Sequence, residues 1–234
     1  MTHDFARFLH IGIGSLALLL YWVAILAVKG GGRHRAAGKA FFVLLVVVAL
    51  SVGPVLFLRP GEFDPGFVVQ FAYLALCLVT VALVSWTAIR WKHDLARFRG
   101  WHFKLLGAAI LLFGLVVLAA GIATGSVLTM VFSWVGLVYG PAMLRFAWLR
   151  GPVHPRWSLI WHLNGVTGLF NAVHGNVLAV GWRWFVDPEA GEGVLVAFQL
   201  ATVAVALGLR LWFGQRRNAP MRLRPEGPGA TLAA

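Results

Sequence analysis

Seven apolar stretches divide this chain, and each is long enough to cross a bilayer, which takes about 20 residues in helical form. They lie at about 7–28, 40–58, 67–90, 103–124, 126–149, 158–181 and 193–213. Only 12% of the 234 residues are charged, about half the share found in soluble proteins. The sequence therefore predicts an all-α, polytopic transmembrane bundle of about seven helices, which occupies residues 1–213.

Two features of the chain set the expected boundaries of the helices. The link from Thr124 to Val127 allows only a tight hairpin between the fourth and fifth helices, and a single long kinked helix is the alternative. The pairs Gly53-Pro54 and Gly140-Pro141 predict kinks, because proline removes a backbone donor. Residues 214–234 are basic and rich in proline and glycine, which predicts a disordered cytoplasmic tail.

The basic residues alternate from loop to loop, which predicts the orientation in the membrane. Those of the first, third and fifth loops and of the C-terminal end are Lys29, Arg33, Arg35, Lys39, Arg90, Lys92, Arg97, Arg99, Lys104, Arg145, Arg150, Arg156, Arg210, Arg216, Arg217, Arg222 and Arg224. We expect these segments to face the cytoplasm and the N-terminus to face outward. The net charge of +12 then reflects contact with the lipid bilayer of a bacterial inner membrane, and no nucleic-acid partner is expected.

All eight acidic residues fall outside the predicted spans, which limits the chemistry available. Transporters coupled to protons or cations usually bury a carboxylate. A retinal protein needs a lysine in its last helix, and the stretch from Gly193 to Phe213 contains none. Cys77 is the only cysteine, so no internal disulfide can form. No phosphate-binding loop or dinucleotide motif is present.

Four histidines lie within the predicted helices, where an imidazole is costly unless it faces protein. They are His10, His102, His162 and His174. Counted from Lys29 and Arg156, which mark the inner boundary, His10 and His174 both lie about 27 to 29 Å away, at about 1.5 Å per residue. These two therefore share a level near the outer surface, whereas the other two lie near the inner surface.

A haem b held by two histidines needs imidazoles from different helices at one depth. The pairs His10 with His174, and His102 with His162, satisfy that requirement by sequence position. Alternatively His34, in the first loop, joins His102 and His162 in a zinc or copper site. Interhelical hydrogen bonding accounts for the same residues without any cofactor, so the sequence leaves these alternatives open.

Small and polar residues accompany two of the histidines. One stripe of the first helix carries His10, Gly14, Ala17 and Tyr21. One arc of about 80° on the sixth predicted helix carries Asn164, Thr167, Asn171 and His174. This polar arc must face protein, and His162 points to the opposite side of the helix. Asn164, Asn171 and Tyr21 are therefore expected near any bound cofactor.

Several short motifs with histidine, glycine or basic residues lie along the chain. They are His10-Ile-Gly-Ile-Gly14-Ser-Leu-Ala17-Leu18, Lys29-Gly30, His34-Arg35, Gly38-Lys39 before Phe41, His162-Leu163 and Ala172-Val173-His174. In these motifs the chain resembles a family of uncharacterised bacterial multipass membrane proteins, a domain of unknown function. The resemblance implies a multipass membrane fold and brings no biochemical activity with it.

Three functions remain open from the sequence. The first is a redox or cofactor protein in which histidines hold haem b or a metal and electrons cross the membrane. The second is a noncatalytic accessory subunit or lipid-binding scaffold of a membrane complex, with a membrane-protein partner. The third is a small-molecule permease or sensor that uses the polar arc from Asn164 to His174. No catalytic residue is assigned, and whether the protein is an enzyme stays open.

Overall fold

The computed structural model describes residues 2–61 and 64–221, and all the helices and strands it assigns over these residues are α-helices, apart from a single β-bridge position at each of Leu149 and Val153. They form seven long helices and one helix of four residues. The bounds are α1 (His3–Leu26), α2 (Gly32–Phe57), α3 (Pro65–Arg90), α4 (Leu95–Phe98), α5 (Trp101–Thr124), α6 (Val127–Ala147), α7 (Trp157–Phe185) and α8 (Glu192–Arg216). The predicted all-α class is confirmed.

Within the described residues, six helices are long and apolar enough to cross a membrane, with α4 and α5 taken together as one of them. They are α1, α2, α3, α5, α6 and α8. The multipass character predicted for the chain is therefore confirmed. Helix α7 has 29 residues and matches the remaining predicted stretch, but its histidines and asparagines make it less apolar. Its crossing of the membrane stays a prediction.

The chain divides after Val79 into two compact units. In the first unit, α1 and α2 pack side by side as a hairpin. The aromatic rings of Tyr21 and Phe41 meet edge to face with centroids 5.3 Å apart. Towards the other end of the hairpin, His10 Nδ1 lies 2.7 Å from Ser51 Oγ. The His10 stripe of the sequence therefore packs against α2.

The turn between α1 and α2 is built by two basic side chains. The Lys29 ammonium donates to the carbonyls of Ala24 and Ile25 in the last turn of α1 and to that of its C-cap, Ala27. His34 Nδ1 donates to Ala24 O over 2.9 Å. The last carbonyls of a helix have no partner within it, and cations are favourable at that end. His34 was predicted in a loop, but it lies in the first turn of α2, where it caps α1.

In the second unit, α5 and α6 form a close pair. The buried residues of α5 are Phe103, Gly107, Ile110, Gly114, Val117 and Gly121. They follow each other at alternating intervals of four and three, the period of a helix that presents one continuous seam to a neighbour. A glycine at every seventh position lets the two backbones approach closely.

The link between α5 and α6 is a tight turn. Gly125 follows the last residue of α5 with φ +68°, and the Ser126 side chain accepts a hydrogen bond from Thr129 N at the start of α6. Glycine adopts this left-handed conformation without strain, and serine is a favoured N-cap. In this structure the chain from Thr124 to Val127 joins two separate helices.

Both Gly-Pro pairs lie inside helices that continue past them, since α2 ends at Phe57 and α6 at Ala147. The two glycines differ in their surroundings. A Cβ on Gly140 would lie 2.7 Å from Leu111 Cβ and 3.0 Å from Gly107 O, whereas a Cβ on Gly53 would meet nothing within 4 Å. Gly140 therefore permits the close approach of α6 to α5.

Helix α8 begins and ends with specific contacts. The Glu192 carboxylate accepts from Ser126 Oγ over 2.9 Å and from Leu128 N, so it caps the N-terminus of α6. At the other end, Asn218 has φ 49°, and Ala219 N donates to Gly214 O over 2.8 Å, which forms a Schellman turn. The helix thus extends past the predicted boundary at 213. Residues 222–234 of the predicted tail lie outside the described residues.

Candidate functional site

The polar arc of α7 packs against a polar stripe of α8. The buried residues of α8 are Gln199, Thr202, Ala206, Arg210 and Gly214, which recur every three or four positions and so share one face. On α7, Thr167 and Asn171 are also buried. Two layers of contacts join the helices, one around Asn171 and one around Arg210.

Asn171 makes the first layer. Its Nδ2 lies 3.1 Å from Gln199 O, 3.1 Å from Gln199 Oε1 and 2.8 Å from Thr202 Oγ1. The Thr202 hydroxyl donates in turn to Phe198 O over 2.8 Å, so it accepts from Asn171. Hydrogen bonds between side chains join helices in lipid, where water cannot compete. This amide therefore acts as a fixed contact between α7 and α8.

A glycine on α7 makes room for this layer. A Cβ on Gly175 would lie 2.8 Å from Gln199 Cδ and equally close to Gln199 Nε2. The Gln199 side chain therefore lies directly over the α7 backbone at this position. Its amide nitrogen reaches Asn176 Oδ1 at 3.4 Å.

Arg210 makes the second layer. Its Nε donates to Asn164 Oδ1, and the Tyr139 hydroxyl of α6 donates to the Asn164 carbonyl. Asn164 thus connects α6, α7 and α8 at one point. Arg210 was expected at the end of the last helix as a marker of orientation, whereas it lies inside α8 and is only 3% exposed.

The other end of the Arg210 guanidinium holds the chain that follows α8. Nη1 donates to Ala219 O over 3.1 Å and Nη2 donates to Pro220 O over 2.8 Å. All three acceptors of this side chain are neutral oxygens. Among the described residues, ion pairs occur only between Asp4 and its neighbours His3 and Arg7. Arg210 is therefore a buried cation without a carboxylate partner in the described part of the chain.

His162 lies on the opposite side of α7 from Asn164 and Asn171, as the sequence predicted. Its Nδ1 lies 3.1 Å from Ser85 O on α3. One turn further on, the backbone of Gly165 packs against Ser85 so closely that a Cβ there would overlap Ser85 Oγ and lie 3.2 Å from Val81 O. Close packing of α7 on α3 therefore fixes the position of the His162 ring.

His102 lies near an aromatic cluster at the start of α5 and α7. The cluster consists of Phe98, Phe103, Phe146, Trp157 and Trp161, all of them buried. The His102 ring meets Trp91 edge to face, with centroids 5.1 Å apart. Its Nε2 and the Trp161 Nε1 are buried and have no hydrogen-bond partner among the described residues. Such buried polar atoms are uncommon in folded proteins.

His10 and His174, the predicted outer haem pair, have different local partners. His10 lies in the first unit and contacts Ser51. His174 lies in the second unit, where its Nδ1 is 2.9 Å from Phe170 O and its ring stacks on Phe170 with centroids 3.9 Å apart. The haem site built on these two histidines stays a prediction.

The predicted metal site is divided in the same way. His34 belongs to the first unit, whereas His102 and His162 belong to the second. Within either unit, the described residues bring no three side chains of His, Cys, Asp or Glu together in a group that could hold a metal ion. The three-histidine site therefore stays a prediction.

Arg210, Gln199 and Thr202 were not predicted as partners of the polar arc. The signal for them was present, because they recur on one face of an otherwise apolar helix. Ser51 carried no such signal, since single serines are common within membrane helices, and Ser85 meets His162 through a backbone carbonyl that any residue would offer. Only the packing of α1 on α2 and of α3 on α7 shows that they meet His10 and His162.

Comparison of the chain with protein-family models, with curated proteins and with solved structures finds no match.

Proposed function

We propose that this protein is a noncatalytic accessory subunit of a membrane complex, an all-helical module of the bacterial inner membrane. The observation that carries the proposal is that the polar residues of α7 form contacts with neighbouring helices. Asn171 contacts Gln199 and Thr202, and Asn164 contacts Arg210 and Tyr139. Polar groups that bind or transform a substrate must be accessible to it, whereas these groups hold helices together.

The same contacts argue against a permease built on this arc. A permeation path needs polar groups that line a cavity open to one surface. Thr167 and Asn171 are buried at 5% exposure each, and the Thr167 hydroxyl donates to Leu163 O over 2.7 Å within its own helix. The arc is therefore filled by protein atoms where a permease would need an aqueous path.

The experiment is a mild-detergent purification of the tagged full chain from its native membrane. We expect a colourless, metal-free preparation that contains a second membrane protein in fixed stoichiometry. Purified protein that is alone and colourless would contradict the accessory-subunit proposal, because nothing would then be bound. A coloured preparation would instead favour haem binding, which is the second candidate function.

Haem b binding is the second candidate, and one feature of the histidines favours it. The Nδ1 atoms of His34, His162 and His174 each face a carbonyl oxygen. A carbonyl only accepts, so the proton lies on Nδ1 when the ring is neutral. In the first unit Ser51 Oγ donates to Val48 O over 2.8 Å, so it accepts from His10 Nδ1. The rings of His10, His34, His162 and His174 then each carry on Nε2 the lone pair that an axial ligand uses.

The absorption spectrum of the same preparation tests this candidate. A haem protein shows a Soret band, which should disappear when His10 or His174 is changed to alanine. His93→Ala is the matched control, because His93 is an exposed histidine outside the helices. If no Soret band is seen in the wild-type protein, haem binding is contradicted.

The proposal includes the orientation expected from the basic loops, with the N-terminus outside and the C-terminus in the cytoplasm. It also includes a crossing of the membrane by α7. In a Cys77→Ala background, Arg150→Cys and Glu189→Cys bracket α7 at two exposed positions. A membrane-impermeant maleimide applied to intact cells should label the cysteine at 189 and leave the one at 150 unlabelled. Equal labelling of both positions would contradict the crossing.

A further inference from the structure

The buried Arg210 guanidinium lies at the wall of a cavity formed by the end of α8. The cavity has a volume of about 240 Å³, and its walls include Arg210, His154, Gly214, Gln215 and Asn218. This volume is far above the roughly 10 to 15 Å³ that admits one water molecule. The space at Arg210 is therefore large enough for a small polar group.

Within the part of the chain that the structure describes, the Arg210 guanidinium has hydrogen-bond acceptors but no anionic partner. Its three acceptors, Asn164 Oδ1, Ala219 O and Pro220 O, supply hydrogen bonds without a formal charge. A buried cation without an anion carries a desolvation cost that neutral acceptors offset only in part. An anion in the cavity would supply the missing charge.

The other groups of the cavity are suited to an anion. His154 Nδ1 accepts a hydrogen bond from Arg156 N over 3.1 Å, so the proton of the neutral ring lies on Nε2, which is a donor. Gln215 and Asn218, two residues with polar side chains, also line the cavity. Arg156 donates to the carbonyl of Arg217, which brings two more cations to this end of α7 and α8. The cavity thus combines these polar residues and nearby cations with four apolar lining residues, Leu211, Ala219, Pro220 and Met221.

We infer that the Arg210 cavity binds an anion of the phosphate class, supplied either by the headgroup of an anionic phospholipid or by free phosphate. Arginine recognises phosphate oxygens through charge-assisted hydrogen bonds. Basic pockets between membrane helices on the cytoplasmic side bind anionic headgroups, and the end of α8 is the side predicted to be cytoplasmic. The inference goes beyond the proposed function because it assigns a ligand to the protein itself.

The test compares two variants of the full chain that lower the net charge equally. Gln215→Glu places a carboxylate at the cavity wall, whereas Lys92→Gln removes a charge from an exposed loop residue away from the cavity. Neither change removes a buried group, so both proteins should fold. One arm measures the thermal midpoint in sodium phosphate and in sodium chloride of equal ionic strength. The other arm counts lipids retained from phosphatidylglycerol or phosphatidylcholine nanodiscs by native mass spectrometry.

We expect saturable stabilisation by phosphate, or selective retention of phosphatidylglycerol, and the arm that responds identifies the source of the anion. Gln215→Glu should weaken that binding by about tenfold, the effect of about 1.4 kcal/mol, and Lys92→Gln should change it by less than twofold. Equal losses in the two variants would show only general attraction to positive charge and would overturn the inference. So would the absence of saturable binding in both arms.

Discussion

Replacing Arg210 by methionine should lower the stability of the protein by about 3 kcal/mol, since each buried acceptor left without a donor costs about 1 to 3 kcal/mol. Ala219 O, which is buried, and Asn164 Oδ1 and Pro220 O, which are partly buried, would all lose the guanidinium. Methionine approximates the length of the side chain, so the loss reflects missing donors rather than a cavity.

The thermal midpoint of the detergent-solubilised protein, followed by the fluorescence of its 11 tryptophans, measures this effect. Arg216→Met is the matched control, because Arg216 is an exposed arginine of the same helix and its loss changes the net charge equally. Arg210→Lys should recover only part of the stability, since an ammonium cannot reproduce the planar fork of the guanidinium. If the two methionine variants unfold at the same temperature, Arg210 has no structural role.

The second large effect is expected at Gly140. A methyl group there would lie 2.7 Å from Leu111 Cβ and 3.0 Å from Gly107 O, and neither atom can move without its helix. Overpacking of this kind costs about 1 to 3 kcal/mol. Gly140→Ala should therefore force α5 and α6 apart and lower the thermal midpoint, although alanine is the better helix former.

Gly53→Ala is the control that separates the effect of close packing from the other effects of replacing a glycine before a proline. Gly53 also lies within a helix and directly before a proline, so the two substitutions share the restriction that proline imposes on the preceding residue. A Cβ on Gly53 meets nothing within 4 Å, and its substitution should leave the midpoint unchanged or raise it. Equal midpoints for the two variants would show that the α5 and α6 backbones are not in close contact at Gly140.

The helices were predictable because the rule that produces them acts locally. A backbone in lipid must satisfy its own hydrogen bonds, so an apolar stretch of sufficient length becomes a helix whatever surrounds it. The stretch at 103–124 corresponds to α5 (Trp101–Thr124), and the stretch at 193–213 corresponds to α8 (Glu192–Arg216). The start of α2 at Gly32 was missed because the prediction followed apolar residues, and the first turns of this helix contain polar residues such as Arg33 and His34.

For the candidate site, the sequence predicted only which residues share a face of α7, because helical periodicity depends on one helix alone. Spacing along α7 places Asn164 and Asn171 on one face and His162 on the other, and the structure has them so. Which helix each face meets was not predictable, because it depends on how distant segments pack. Arg210 illustrates the difference, since its position near a helix end suggested a marker of orientation, yet it is buried against Asn164.

The sequence by itself determined that this chain is all-helical and multipass, because hydropathy and backbone hydrogen bonding decide that segment by segment. Only the tertiary structure decided the partners of its polar groups, such as Ser85 for His162, Gln199 for Asn171 and Asn164 for Arg210. The physical reason is that a hydrogen bond between helices depends on their distance and rotation. Close approach at residues such as Gly165 and Gly175 sets both of these.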